Sequence, residues 1–181
     1  MPHHRRTPSL SLALLAGVLG LSPAVPAAHA QDGKADIGAP APSISLKLLG
    51  GGSAALETLR GRPVLINFWA TWCAPCRQEM PDLAAVRQAH QANGLEVLAV
   101  NLTDQERLKD VQAFVAELAL PFPVLLDERG RARERYGIAT LPTTYFVDTL
   151  GLVRGVHPGP LTSGALQKGL ALILPAPEPA R

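Results

Sequence analysis

The sequence predicts an α/β fold, a central sheet flanked by helices, on the strength of three patterns. Apolar runs of strand length at 63–69 and 96–102 are nearly continuous, as expected of strands covered on both faces. Between such runs, apolar residues recur at helical spacing, most plainly Leu108, Val111, Phe114, Val115 and Leu118. Glycine and proline punctuate the changes from one period to the other. Strands alternating with helices argue for a mainly parallel sheet.

Each element has its own local justification. Residues 44–49 read as a strand, turned by Gly50-Gly51-Gly52 into a short second strand at 54–56, a hairpin. The strand at 63–69 runs into a helix expected over 73–92, with Gly94 just past its end. Next come a strand at 96–102, a helix at 105–120, a short strand at 123–126 and a short helix at 129–136. The strand at 143–147 pairs back with 152–156 across Thr149-Leu150-Gly151, and a helix over 161–174 closes the domain. There is no internal repeat.

The ends of the chain have a different character. His3, His4, Arg5 and Arg6 precede an apolar run at 10–21, and Ala28-His29-Ala30 has the small-x-small pattern of a cleavage site. Residues 1–30 are therefore expected to be a secretory signal peptide. Twelve apolar residues span roughly 18 Å as a helix, short of the roughly 30 Å hydrocarbon core. An uncleaved membrane anchor is the alternative. Residues 31–40 read as a linker, 41–174 as a single domain, and 175–181 as a disordered proline-rich tail.

Of the 181 residues, 17 are basic and 15 acidic, and the leader carries two arginines and no acid. The mature chain is thus formally neutral, which offers no case for a nucleic-acid partner. A monomer is expected. Export would put the cysteines where disulfides persist, so a reducing role needs an outside source of electrons.

The chemistry concentrates in one tetrapeptide. Both cysteines of the chain lie in Cys73-Ala74-Pro75-Cys76. With no third cysteine, the pair bonds to itself, cycles as a dithiol, or attacks another molecule's disulfide. A strand leading into a helix that opens with Cys73 supplies unpaired N–H groups and the positive end of the helix dipole. Both favour a thiolate, the attacking species. Cys76 follows three residues on, within reach to displace a mixed disulfide, and Pro75 sits where its missing N–H costs little.

Two duller readings compete. A four-residue loop makes a weak structural staple, worth about 2 kcal/mol against about 4.7 for a 100-residue loop. A zinc site needs about four ligands, and beyond the leader only His90 and His157 join the single cysteine pair. His157 itself reads as a surface residue. The arginines at 129, 131, 133 and 135 read as a solvated helix face.

Phe68-Trp69-Ala70, Trp72-Cys73, Pro75-Cys76 and Pro81 resemble the active-site signature of the thioredoxin superfamily. Cys73-Ala74-Pro75-Cys76-Arg77-Gln78-Glu79-Met80-Pro81 is similar in full to the helix start of its exported TlpA/ResA branch. The likeness covers roughly residues 40–174. It implies a thioredoxin-like fold, a central mixed sheet flanked by helices, with an N-terminal β-hairpin and an inserted strand–helix segment at 96–120.

The resemblance also implies roles for single residues. Pro142, in Thr140-Leu141-Pro142-Thr143, matches the cis-proline that faces the cysteines and guides substrate pairing. Thr140 and Leu141, with Trp72 and Pro75 opposite, are then the substrate-binding residues. Glu79, one helical turn beyond Cys76, matches the glutamate that tunes the cysteines and could relay a proton to or from Cys76. Asn67 stands where thioredoxin has a buried aspartate, which makes Glu79 the substitute acceptor. Trp69 and Trp72 are expected to shield the disulfide, and Pro81 to kink the helix.

The activity implied is extracytoplasmic thiol–disulfide exchange, with no cofactor beyond the Cys73–Cys76 disulfide and no metal. Expected partners are exported proteins with disulfides, apocytochrome c among them, and a membrane thiol donor. Two other readings stand beside it. A thiol peroxidase of the AhpC/TSA type resembles Pro-x-x-x-Thr-x-x-Cys, but Thr71 precedes Cys73 by two residues, not three. A copper- or haem-handling carrier without turnover resembles Cys-x-x-x-Cys with a distal histidine, one residue longer than the spacing here.

Overall fold

The computed structural model describes residues 34–175. The expected signal peptide lies outside them, as does all of the expected tail but its first residue. In chain order the elements are β1 (Ser45–Leu48), β2 (Ser53–Ala55), β3 (Val64–Trp69), α1 (Ala74–Ala89), β4 (Glu96–Asn101) and α2 (Leu108–Leu118). They continue with β5 (Val124–Leu126), α3 (Arg131–Arg135), β6 (Thr143–Val147), β7 (Val153–Pro158) and α4 (Ser163–Ile173). One sheet contains every strand, in the order β2-β1-β5-β4-β3-β6-β7.

The sheet is mixed, which corrects the mainly parallel arrangement read from alternation alone. Only β3–β4 and β4–β5 are parallel; the other four pairings are antiparallel. A parallel return needs a crossover of a dozen residues or more, and α1 and α2 provide the two that exist. The five residues of α3 span only about 7.5 Å. That is too short to recross the sheet, so β6 starts at the end where β5 finished and runs back beside β3. Pro142, just ahead of β6, therefore arrives at the same end of the sheet as the cysteines that follow β3.

Strand alternation divides the core in two. Leu65, Asn67 and Trp69 face α1, α2 and α4, whereas Val64, Ile66 and Phe68 face α3 and the N-terminal segment. All six residues of β3 are buried, as its continuous apolar run requires. On the first face Trp69 packs on Phe114 of α2, ring centroids 5.1 Å apart.

Several helix ends depart from the sequence reading. α1 stops at Ala89, and a 3₁₀ turn at Gln91–Asn93 leads to Gly94 at φ 73°, a left-handed stop that favours glycine. Pro81 lies inside α1, and the helix runs on through it. Where a helix from residue 105 was expected, Thr103–Gln105 form a 3₁₀ turn and Glu106 is extended at φ −151°, so α2 starts at Leu108. α3 is shorter than expected, and Arg129 falls outside it. α4 begins two residues late because Thr162 caps it, its hydroxyl accepting the Ala165 N–H at 3.2 Å.

Part of the stretch read as a linker lies against the sheet. The Gly38 N–H donates to the Val153 carbonyl at 2.8 Å, and the Val153 N–H to that of Ala39 at 2.9 Å. The Ala41 N–H donates to Gly151 at 2.9 Å. Tyr136 seals the join from below, its hydroxyl donating to the Pro42 carbonyl at 2.7 Å.

Candidate active site

β3 delivers the site. Trp69 closes the strand in the core, Thr71 is half-buried, Trp72 is 58% exposed, and Cys73 caps α1. The Cys76 N–H donates to Cys73 Sγ at 3.2 Å, so the first sulfur takes one of the orphan donors of the helix start. Pro75 occupies the first turn, where no N–H is needed. Cys73 and Cys76 are joined as a disulfide, and among the described residues no cysteine is free. The sulfurs are not equivalent: Cys76 is fully enclosed, and Cys73 is the one that borders a groove.

That groove, of about 540 Å³, collects five of the site residues singled out in the sequence, while Cys76, Glu79 and Pro142 do not line it. Trp72, Cys73 and Pro75 line it together with Thr140 and Leu141. The Leu141–Pro142 peptide is cis. The Gly159 N–H donates to the Pro142 carbonyl at 2.8 Å, and the Thr143 hydroxyl donates to the Thr140 carbonyl at 2.8 Å. The segment is thus held from both flanks.

Behind the cysteines lies a buried carboxylate. Glu79 is 4% exposed. Asn67 Nδ2 donates to Glu79 Oε1 at 2.7 Å and also to Thr144 Oγ1 at 2.9 Å, and the Leu161 N–H donates to Glu79 Oε2 at 2.9 Å. Burial raises the Glu79 pKa above the ordinary carboxylate range. The Leu161 and Asn67 hydrogen bonds and the charge of His157 pull it down, and Asp82 adds to the rise. The net direction is upward, so the side chain holds a proton more tightly than a solvated glutamate does.

Other expectations fare unevenly. Trp69 is a core residue against Phe114, and only Trp72 stands beside the groove. His157 is half-buried, its Nε2 3.1 Å from the Pro160 carbonyl oxygen. The arginine run is not one solvated face: Arg133 borders the groove and pairs with Asp104 at 3.2 Å, and Arg135 donates to Ser43.

Some residues went unnoticed in the sequence. Leu102, Gln105, Ile138 and Ala139 complete the groove. Thr144 and Leu161 hold Asn67 and Glu79 from distant parts of the chain. Glu106 binds the approach to Cys73. Only the position of 138–141 ahead of the cis-proline carried a signal of proximity.

The sequence model of the AhpC/TSA family matches residues 37–156. Among curated proteins, the chain is 41% identical to the thioredoxin-like protein YneN of Bacillus subtilis over 136 residues, 75% of this chain and 79% of that one. It is 34% identical to the thiol-disulfide oxidoreductase ResA of Geobacillus thermodenitrificans, over 77% of this chain and 79% of that one. Among solved structures, a putative thiol:disulfide interchange protein DsbE from Chlorobium tepidum superposes with a TM-score of 0.70 at 32% identity. That match covers 75% of this chain and 96% of the other. StoA from Bacillus subtilis gives a TM-score of 0.62 at 28% identity, covering 72% and 97%.

Proposed function

Because the chain belongs to the AhpC/TSA family, and within it to the ResA- and YneN-like thiol–disulfide oxidoreductases of thioredoxin fold, we propose that it works outside the cytoplasm as a reductant of disulfides in exported proteins. What carries this reading is the asymmetry of the pair: Cys73 borders the groove and Cys76 is enclosed behind it. Attack belongs to the reachable sulfur and resolution to the hidden one.

In the dithiol form, the Cys73 thiolate attacks one sulfur of a substrate disulfide. A Cys73–substrate bond forms, the substrate S–S bond breaks, and the second substrate sulfur leaves as a thiolate. Cys76 then gives up its proton and attacks Cys73 Sγ, releasing the first substrate sulfur and leaving Cys73–Cys76 oxidised. Glu79, on the same face of α1 as Cys76, is the acceptor of that proton and its store until the disulfide is reduced again. A thiol donor at the membrane supplies the two electrons for the next cycle. Apocytochrome c, which must be reduced before haem attachment, is a fitting substrate.

Export rests on residues 1–30, with their basic start, apolar run and small-residue site. The test of the activity is insulin reduction by the mature protein beside its Cys73→Ser variant, together with the equilibrium potential of the pair. Turnover lost in the variant and a strongly negative potential support a reductant. Equal turnover, or a potential near the oxidising extreme, overturns it.

The family match also favours a second reading, a peroxidase of the AhpC/TSA type. Two features weigh against it: Cys73 already has a partner three residues on, and the Thr71 hydroxyl is turned to Glu106. Rapid peroxide consumption with a sulfenic acid at Cys73 would reverse the ranking.

A further inference from the structure

Glu106 lies far from the cysteines in sequence, on the connection between β4 and α2, yet it is tied to the approach to Cys73. The Thr71 N–H donates to both of its oxygens, at 3.0 and 3.2 Å, and the Thr71 hydroxyl donates to Oε2. Asn101 Nδ2 donates to Oε1 at 2.6 Å. Asn101 is itself fully buried at the end of β4, in register with Trp69, and the Leu102 N–H donates to the Trp69 carbonyl at 3.0 Å. One half-buried carboxylate therefore joins the ends of the two central strands. Its neighbours Leu102 and Gln105 line the groove, and so do Trp72 and Cys73, next to Thr71.

We infer that Glu106 is a positioning residue for thiol–disulfide exchange, holding the two groove-lining segments, 71–73 and 102–105, in the relative placement at which a peptide-borne sulfur meets Cys73. Its extended backbone is the local device that makes this possible. A helix begun at residue 105 would carry the side chain round with the helical period; the break before α2 leaves it turned to Thr71. Hydrogen bonds do the work, since both Thr71 donors and the Asn101 amide need an acceptor there. A glutamine can accept the two N–H groups on its oxygen and donate to the Thr71 hydroxyl; an alanine can do neither.

The inference deepens the site proposed above and rests on exchange at Cys73, in either direction of electron flow. The test uses the full chain with Cys76→Ser, so that only the first attack occurs. The probe is a short peptide whose cysteine carries a thionitrobenzoate mixed disulfide. The Cys73 thiolate bonds the peptide sulfur, the peptide–thionitrobenzoate bond breaks, and the coloured thiolate leaves with no net oxidation. Alkylation by iodoacetamide, which needs only an ionised and reachable sulfur, is measured in parallel.

Glu106→Ala is expected to slow the peptide reaction about tenfold or more with alkylation changed less than about twofold, while Glu106→Gln stays within about threefold of the parent. Thr71→Val, which keeps the backbone contact, should fall between and guards against an Ala variant that fails to fold. Equal slowing of both reactions, slowing of neither, or a Gln variant as slow as Ala overturns the inference. Failure of the wild-type protein, with both cysteines, to reduce insulin bears on the direction of flow alone, because the activated peptide reacts with Cys73 regardless.

Discussion

A carboxylate enclosed to 4% exposure one helical turn beyond Cys76 changes what one residue contributes across the pH scale. Burial raises the Glu79 pKa in the folded state. The folded protein thus binds this proton more tightly than the unfolded chain does. The resulting stability is fully present below the ordinary carboxylate range and is lost as pH rises through the raised folded value. Glu79→Gln carries no proton equilibrium, so denaturant melts across a pH series should show a flatter profile than the wild type over that window. Parallel profiles would remove Glu79 from the account. Asn67 offers a second probe. It donates to Glu79 at 2.7 Å, and Asn67→Asp replaces that donor by a second anion. A loss of about 1–3 kcal/mol near pH 8, shrinking at low pH where the carboxyls are protonated, is expected from denaturation curves.

Elements here are placed by contacts that local propensity does not encode. α4 sits so close to the sheet that a Cβ at Gly169 would come within 2.1 Å of the Phe146 ring on β6. Gly169→Ala, a change that favours an isolated helix, should therefore destabilise the protein by about 1–3 kcal/mol in chemical denaturation. A neutral or stabilising result would mean that the ring moves aside freely. The same tension explains what could be read of α2. Val111, Phe114 and Leu118 announced the helix through their period, and the first two are indeed buried. Its start could not be seen, because Glu106 fits a helical pattern as well as an extended one. Hydrogen bonds to Glu106 from Thr71, 35 residues earlier, and from Asn101 hold the extended form.

For the molecule as a whole, the cysteine end of the sheet is assembled from β3, the β4–α2 connection, the cis-proline segment and the turn before α4. Its opposite edge region is closed by residues 38–41 along Gly151–Val153 and by the Tyr136 hydroxyl on Pro42. A chain beginning at Ser43 gives up these bonds. Its melting midpoint should lie about 4 °C or more below that of a chain beginning at Lys34, as scanning calorimetry would show. Equal midpoints would make the segment a passive connection after all. The boundary read at residue 40 came from composition, and composition cannot register backbone hydrogen bonds to a distant strand.

What the chain determines by itself is the order of strands and helices and the cysteine pair at the head of α1. Both depend on periods and spacings within a few residues. Tertiary structure alone decided the direction of β6, through the shortness of α3, and hence the arrival of Pro142 at the cysteine end of the sheet. It alone placed Leu161 on a glutamate 82 residues away and Glu106 on Thr71. Such contacts depend on register and on how far each connection reaches, quantities that no short stretch of sequence contains.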